Sequence, residues 1–211
     1  MTVETSEIMR KESGDKNNEQ NERKTKELKD DNVKIKEQHN PNKTQQIIKQ
    51  LEEWTEKRIR DIIFDSNIDN WNRGKTLFGE RIKNKEHLIF IVEDTEGNIF
   101  GGYVNEKIGT EEESYILDPN AFVFSLESKG RLKEMMKFDI NEYHEAFYYD
   151  TQYYNFALFV FGTGRDISVC KEIYKTESYC SQWSFNYKGI SNPFCGKCRF
   201  IPQRIIVIEV E

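Results

Sequence analysis

LIFIVEDTEGNIFGGYV, running from Leu88 to Val104, is the stretch that decides the fold. Leu88-Ile89-Phe90-Ile91-Val92 is apolar and β-branched, and Ile99-Phe100 with Tyr103-Val104 makes a second run of the same kind. Such residues fit a pleated, half-buried surface. Between the runs, Asp94-Thr95-Glu96-Gly97-Asn98 holds what a tight reversal needs. Gly97 and Asn98 tolerate positive φ, and Asp94 can bond back to the backbone. The stretch reads as an antiparallel hairpin. Gly101-Gly102 interrupts the second strand, which points to a bulge, a sharp bend or another backbone passing close by. A sheet corner is the favoured account, and a ligand lying against bare backbone is the rival.

Working outward toward the C-terminus, Gly109 to Asp118 is an acidic loop ending at Pro119, and Ala121-Phe122-Val123-Phe124-Ser125-Leu126 is a strand. Ser128 to Arg131 is a turn. Met135 to Ile140 reads as a strand, although Leu132, Met135 and Met136 would also suit one helical turn. Tyr143 to Tyr154 is aromatic and resists assignment. Phe156 to Phe161 is a strand, Gly162-Thr163-Gly164 a turn, and Asp166 to Cys170 a strand again. Lys171 to Lys197 is loop-rich, with Phe185 and Tyr187 as anchors. Arg204 to Val210 closes the chain as an apolar strand.

Toward the N-terminus, Thr76 to Lys83 suits a short helix presenting Leu77, Phe78 and Ile82. Ile62-Ile63-Phe64 ends a short strand or helix. Asp65 to Asn70 has the composition of a calcium loop, but lacks the turning glycine and the closing glutamate, so a capped loop fits better. Ile47, Ile48, Leu51 and Trp54 recur at helical spacing, which predicts an amphipathic helix over Thr44 to Lys57. Met1 to Asn42 is polar and mixed in charge, too poor in apolar residues to offset the entropy of ordering. It reads as a disordered tail, and residues 43–211 as the folded domain. Many short strands with helices gathered at one end of the sequence predict an α+β, mainly β, fold: a two-layer antiparallel β-sandwich with a few peripheral helices.

The 211 residues carry a formal net charge of −6, which disfavours direct nucleic-acid binding. No apolar run approaches a membrane span, so no membrane insertion is expected. The amino terminus has no apolar secretory core, which places the chain in the cytoplasm, with the nucleus as the alternative. There the four cysteines, Cys170, Cys180, Cys195 and Cys198, should be reduced thiols.

Candidate chemistry is sparse. Cys195-Gly196-Lys197-Cys198 is a C-x-x-C, but Cys170 and Cys180 do not supply the second pair at knuckle spacing. Zinc at Cys195 and Cys198 is therefore the weaker reading, a redox dithiol weaker still, and an ordinary turn is favoured. Gly162-Thr163-Gly164 lacks both the full phosphate-loop pattern and a following helix. His39, His87 and His144 share no triad or ligand spacing, and neither a nucleophile elbow nor H-E-x-x-H occurs. The residues themselves thus point to a non-enzymatic protein that needs no cofactor.

Asp94 to Tyr103, with Gly97, Asn98, Phe100, Gly101 and Gly102 in order, resembles the core signature of the TLDc domain of the oxidation-resistance proteins. Asp118-Pro119-Asn120-Ala121-Phe122-Val123-Phe124-Ser125-Leu126 stands in the place of that family's aspartate and F-x-F-S-L strand. Ile63 to Ser66, Gly162 to Val169 and the closing strand match more loosely, so the resemblance runs from Ile62 to Glu211. Asn70-Trp71 departs from the family's glycine and aromatic, Gly162-Thr163-Gly164 is shorter than its glycine-rich turn, and the C-x-x-C is no part of its pattern. The resemblance implies a β-sandwich and a protein-binding role in the oxidative-stress response. It also implies a partner among the subunits of the vacuolar proton pump or, in a nuclear branch, transcriptional coactivation. It carries over no catalytic residue, and the motif residues transfer as structural positions. A thiol-redox protein using Cys195 and Cys198 is the remaining alternative.

Overall fold

The computed structural model describes residues 41–72, 77–109, 115–142, 144–150 and 156–211. Two helices and ten strands are named here in chain order. They are α1 (Pro41–Thr55), β1 (Ile59–Asp65), α2 (Leu77–Ile82), β2 (Leu88–Asp94), β3 (Ile99–Val104), β4 (Phe122–Glu127), β5 (Met136–Asp139), β6 (Phe147–Tyr149), β7 (Ala157–Phe161), β8 (Ile167–Cys170), β9 (Tyr179–Cys180) and β10 (Pro202–Val210). A 3₁₀ turn, Glu172–Glu177, joins β8 to β9.

The strands form two antiparallel sheets, one of six in the order β1-β10-β2-β3-β4-β5 and one of four in the order β6-β7-β8-β9. The expected mainly β sandwich is what the chain forms. β2 and β3 pair in unbroken register from Leu88↔Val104 to Glu93↔Ile99, so the hairpin stands as read. β10 lies between β1 and β2, and the last strand thus becomes an inner strand of the larger sheet.

The faces of the two sheets meet through aromatic rings. Phe90 of β2 lies 4.7 Å from Phe147, 5.3 Å from Phe159 and 5.6 Å from Phe161, centroid to centroid. All four rings are fully buried. Each contributes about 2 kcal/mol of apolar transfer, and ring pairs at these separations add to it. α2 plugs one edge of this layer with Phe78, whose ring stacks on Phe159 at 5.5 Å.

The opposite face of the large sheet is covered in part by α1. Leu51 is buried, and the Trp54 ring meets Phe122 at 6.3 Å and Phe124 at 6.0 Å. Phe122 and Phe124 therefore face outward from the sandwich, while Val123 between them faces inward, as strand alternation requires.

One helix boundary changes, and three open readings are decided. The helix runs from Pro41 to Thr55, not from Thr44 to Lys57. Proline suits the first helical position because its missing N–H is an orphan there anyway, and Glu56 at φ 56° ends the helix in the left-handed region. Residues 41 and 42 are thus helical and not tail; residues 1–40 lie outside the described residues, as do 110–114 of the acidic loop. Ile62-Ile63-Phe64 belongs to a seven-residue strand paired with β10. The unassigned aromatic segment supplies β6. No bulge accompanies Gly101-Gly102 in the β2–β3 ladder, and neither glycine has positive φ.

Candidate functional site

Three buried aspartates organise the loops around the motif residues. Asp94, at the hairpin tip, accepts hydrogen bonds from the backbone N–H of Glu96 (2.9 Å) and Asn98 (2.9 Å), and from the Asn98 side-chain amide (2.7 Å). Gly97 takes φ +76°, whereas Asn98 does not use positive φ and spends its amide on Asp94. Arg131 then reaches the tip: its Nη2 donates to Asn98 Oδ1 at 3.1 Å and to the Phe194 carbonyl at 2.6 Å. One guanidinium thereby ties the hairpin to the loop that carries Cys195.

Asp118 receives the N–H groups of Asn105 (2.6 Å), Glu106 (3.1 Å) and Asn120 (3.0 Å). It joins the end of β3 to the start of β4, and Pro119 stands exposed beside it. Asp166 was read from the sequence only as the first residue of a strand. It is fully buried and accepts from the N–H of Trp183 (2.8 Å) and Ser184 (3.0 Å) and from the Tyr187 hydroxyl (2.8 Å). Burial, with Asp166 alongside, pushes the Tyr187 hydroxyl far above its ordinary value, so it stays a donor.

The remaining motif residues are packing positions. A Cβ on Gly101 would fall 1.8 Å from the Phe90 carbonyl oxygen, and one on Gly102 would fall 2.5 Å from the Phe161 ring. Close approach explains both glycines, by backbone at the first and by an aromatic ring from the second sheet at the other. Phe100 is sealed between Phe194 at 5.6 Å and Phe200 at 5.0 Å. Tyr103 lies on the outer face against Phe122, at 5.1 Å. Leu126 is buried, and Ser125 Oγ is a buried side-chain oxygen without a hydrogen-bond partner.

The C-x-x-C is divided by the fold. Cys195 is buried and Cys198 is exposed. The Cys195 thiol donates to the Lys197 carbonyl at 2.9 Å. The Cys180 thiol, helped by the Lys197 backbone and Arg131 and opposed by burial and Asp94, lowers Cys195 to about 7. Burial first, and then the Cys195 thiol, raises Cys180 well above the thiol range. Among the described residues no group of three or more His, Cys, Asp or Glu side chains is placed to hold a metal ion, so the zinc reading of Cys195 and Cys198 gains no ligand set. Spacing drew attention to Cys195 and Cys198; Cys180, set aside with Cys170 as a second ligand pair, lies on β9. Beside this loop, Asp94, Thr95, Glu96, Thr176, Lys197, Arg199, Phe200 and Ile201 line a shallow cleft of about 220 Å³. Lys197 and Glu96 form an ion pair on its wall.

Phosphate-loop chemistry is also displaced from Gly162-Thr163-Gly164. Gly162 has φ +74° and packs on Asp166 and Ser184, and β8 follows it rather than a helix. The turn is a site of close packing on the 183–187 loop.

Comparison with curated proteins finds no match. The TLDc domain model, by contrast, matches residues 37–210, which takes in every strand of both sheets, the Asp94 hairpin and the Asp118 junction; the chain belongs to the TLDc domain family.

Proposed function

We propose that this chain is a non-enzymatic interaction module of the oxidative-stress response, one that docks on a protein partner of the vacuolar proton pump class. The observation that supports this reading best is how the signature residues are used. Asp94 and Asp118 are consumed in backbone hydrogen bonds, the glycines in close packing and the aromatics in the core. The motif builds a scaffold, and function then falls to the surface the scaffold presents. The loop held by Asp166 offers one suitable contact: Trp183, 69 % exposed although its backbone N–H is fixed. An exposed aromatic on an anchored backbone is the kind of residue that dominates protein interfaces.

No described helix is long and apolar enough to cross a membrane. The formal charge of −6 favours a protein partner over nucleic acid. The test is co-sedimentation of the purified chain with purified pump cytosolic sector. Retention is expected, with Trp183→Ala weakening it at least tenfold while the melting midpoint holds. Failure of the wild-type chain to sediment with the pump, when a TLDc protein that binds does so, would remove the pump as partner.

A further inference from the structure

We propose that the cleft between the hairpin tip and the 3₁₀ turn binds a phosphomonoester, with Lys197 and Arg199 as its cationic contacts. The inference goes beyond the docking reading and does not depend on the choice of partner. Its basis is how the chain after Lys197 is held. On one side, the Cys180 N–H donates to the Cys198 carbonyl at 2.7 Å and the Phe200 N–H to the Ser178 carbonyl at 3.1 Å. Tyr179 and Arg199 form an antiparallel bridge in the same ladder. On the other side, the Thr95 N–H of the hairpin tip donates to the Ile201 carbonyl at 2.9 Å. Residues 198–201 are thus pinned to β9 and to the hairpin at once. Lys197 and Arg199 line the cleft, Thr95 enters it from the hairpin, and Thr176 enters it from the 3₁₀ turn. Phe200, which is buried, and Ile201, which is partly exposed, give it an apolar lining for the carbon side of an ester.

Each cation already holds one carboxylate. Lys197 pairs with Glu96, and Arg199 Nη1 donates to Glu177 at 2.7 Å. All four side chains are more than half exposed. Exposed pairs of this kind contribute little, so a ligand of higher charge can displace them. The same pairs select the ligand. A carboxylate would offer only what Glu96 and Glu177 supply now, whereas a phosphomonoester approaches a dianion at neutral pH and presents three acceptor oxygens. The donors to meet them are in place. Arg199 Nε and Nη2 and the hydroxyls of Thr95 and Thr176 have no hydrogen-bond partner among the described residues. A guanidinium with two adjacent N–H groups free takes two phosphate oxygens in parallel. Binding makes and breaks no covalent bond; Glu96 and Glu177 turn to solvent as the phosphate enters.

The test is a titration of the isotope-labelled full chain, followed in its amide NMR spectrum, with N-acetyl-O-phosphoserine amide as the probe. Saturable shifts are expected at Thr95, Thr176, Lys197 and Arg199, and N-acetylglutamate amide should bind more weakly. Arg199→Gln is expected to weaken the phosphate probe about tenfold or more, as loss of charge-assisted hydrogen bonds requires. Glu177→Gln, which frees the guanidinium, is expected to tighten it. Both substitutions lie at exposed positions, and an unchanged melting midpoint shows that the fold is kept. Glycerol phosphate titrated in parallel separates the sources: tighter phosphoserine points to a phosphorylated side chain, tighter glycerol phosphate to a free phosphate ester. Shifts that fail to saturate, that scatter over lysines elsewhere on the chain, or that follow the glutamate probe equally overturn the proposal. So does binding left unweakened by Arg199→Gln, or no tighter in Glu177→Gln.

Discussion

Gly101 and Gly102 adjoin in sequence but are constrained by different neighbours. A side chain at Gly102 enters the Phe161 ring from the second sheet, so Gly102→Val should overpack the sandwich and cost ~2 kcal/mol or more. Gly101→Ala meets the β2 backbone at Phe90, which cannot rotate away, and should cost at least as much. A urea melt of each variant measures both; valine tolerated at Gly102 would show that the sheets part easily there. Ser125 runs the other way. Its hydroxyl is buried without a hydrogen-bond partner, so Ser125→Ala removes a desolvated polar group and should be neutral or stabilising by up to ~1 kcal/mol. A loss above that range in the same melt would reveal a partner for the oxygen, such as a bound water.

Among elements, β1 is held to β10 by more than its ladder. Asp65 ends β1, and its carboxylate accepts from Arg204 Nη2 at 2.6 Å and Nε at 3.1 Å, and from the Asn67 N–H at 3.0 Å. These bonds, Arg204 foremost, hold the Asp65 carboxyl below its ordinary 3.8 despite partial burial. A carboxyl depressed on folding stabilises the native state at pH above its unfolded value, and that contribution is lost as pH falls through the folded value. Asp65→Asn should therefore cost about 1–2 kcal/mol at neutral pH, as for a hydrogen bond to a charged group. The difference from wild type should close below pH 3.8, and urea melts from pH 7 downward measure it. A difference independent of pH would mean that packing, not charge, is what the substitution disturbs.

For the whole molecule, β10 sits inside the large sheet between β1 and β2. Its Ile205 and Val207 are fully buried in the common core. Ending the chain before Pro202 would strip β1 of its partner and expose the edge of β2. The truncated chain is expected to lose its cooperative thermal transition by circular dichroism. A preserved sharp melt would show that β2 to β9 form a self-sufficient unit. The same topology, joining the first strand to the last, requires long-range contacts before the sheet closes and predicts folding in milliseconds to seconds, readable by stopped-flow fluorescence.

What the sequence determined by itself was local: the hairpin and its Asp94–Gly97 reversal, and most of the strands. In each, neighbouring residues carry both the pattern and its cause. Alternation selects the strand, Asp94 reaches the amides two and four residues on, and short strands in series leave a sandwich as the compact solution. The tertiary structure decided whatever depends on residues distant in the chain. Gly102 is small because of Phe161, the Asp65 carboxyl is held below its ordinary value because of Arg204, and Asp166 serves Trp183, Ser184 and Tyr187. The cysteines show the division most clearly. Spacing paired Cys195 with Cys198, whereas the fold buries the first and exposes the second, because backbone pairing, not sequence interval, sets which face of a strand or loop each side chain occupies.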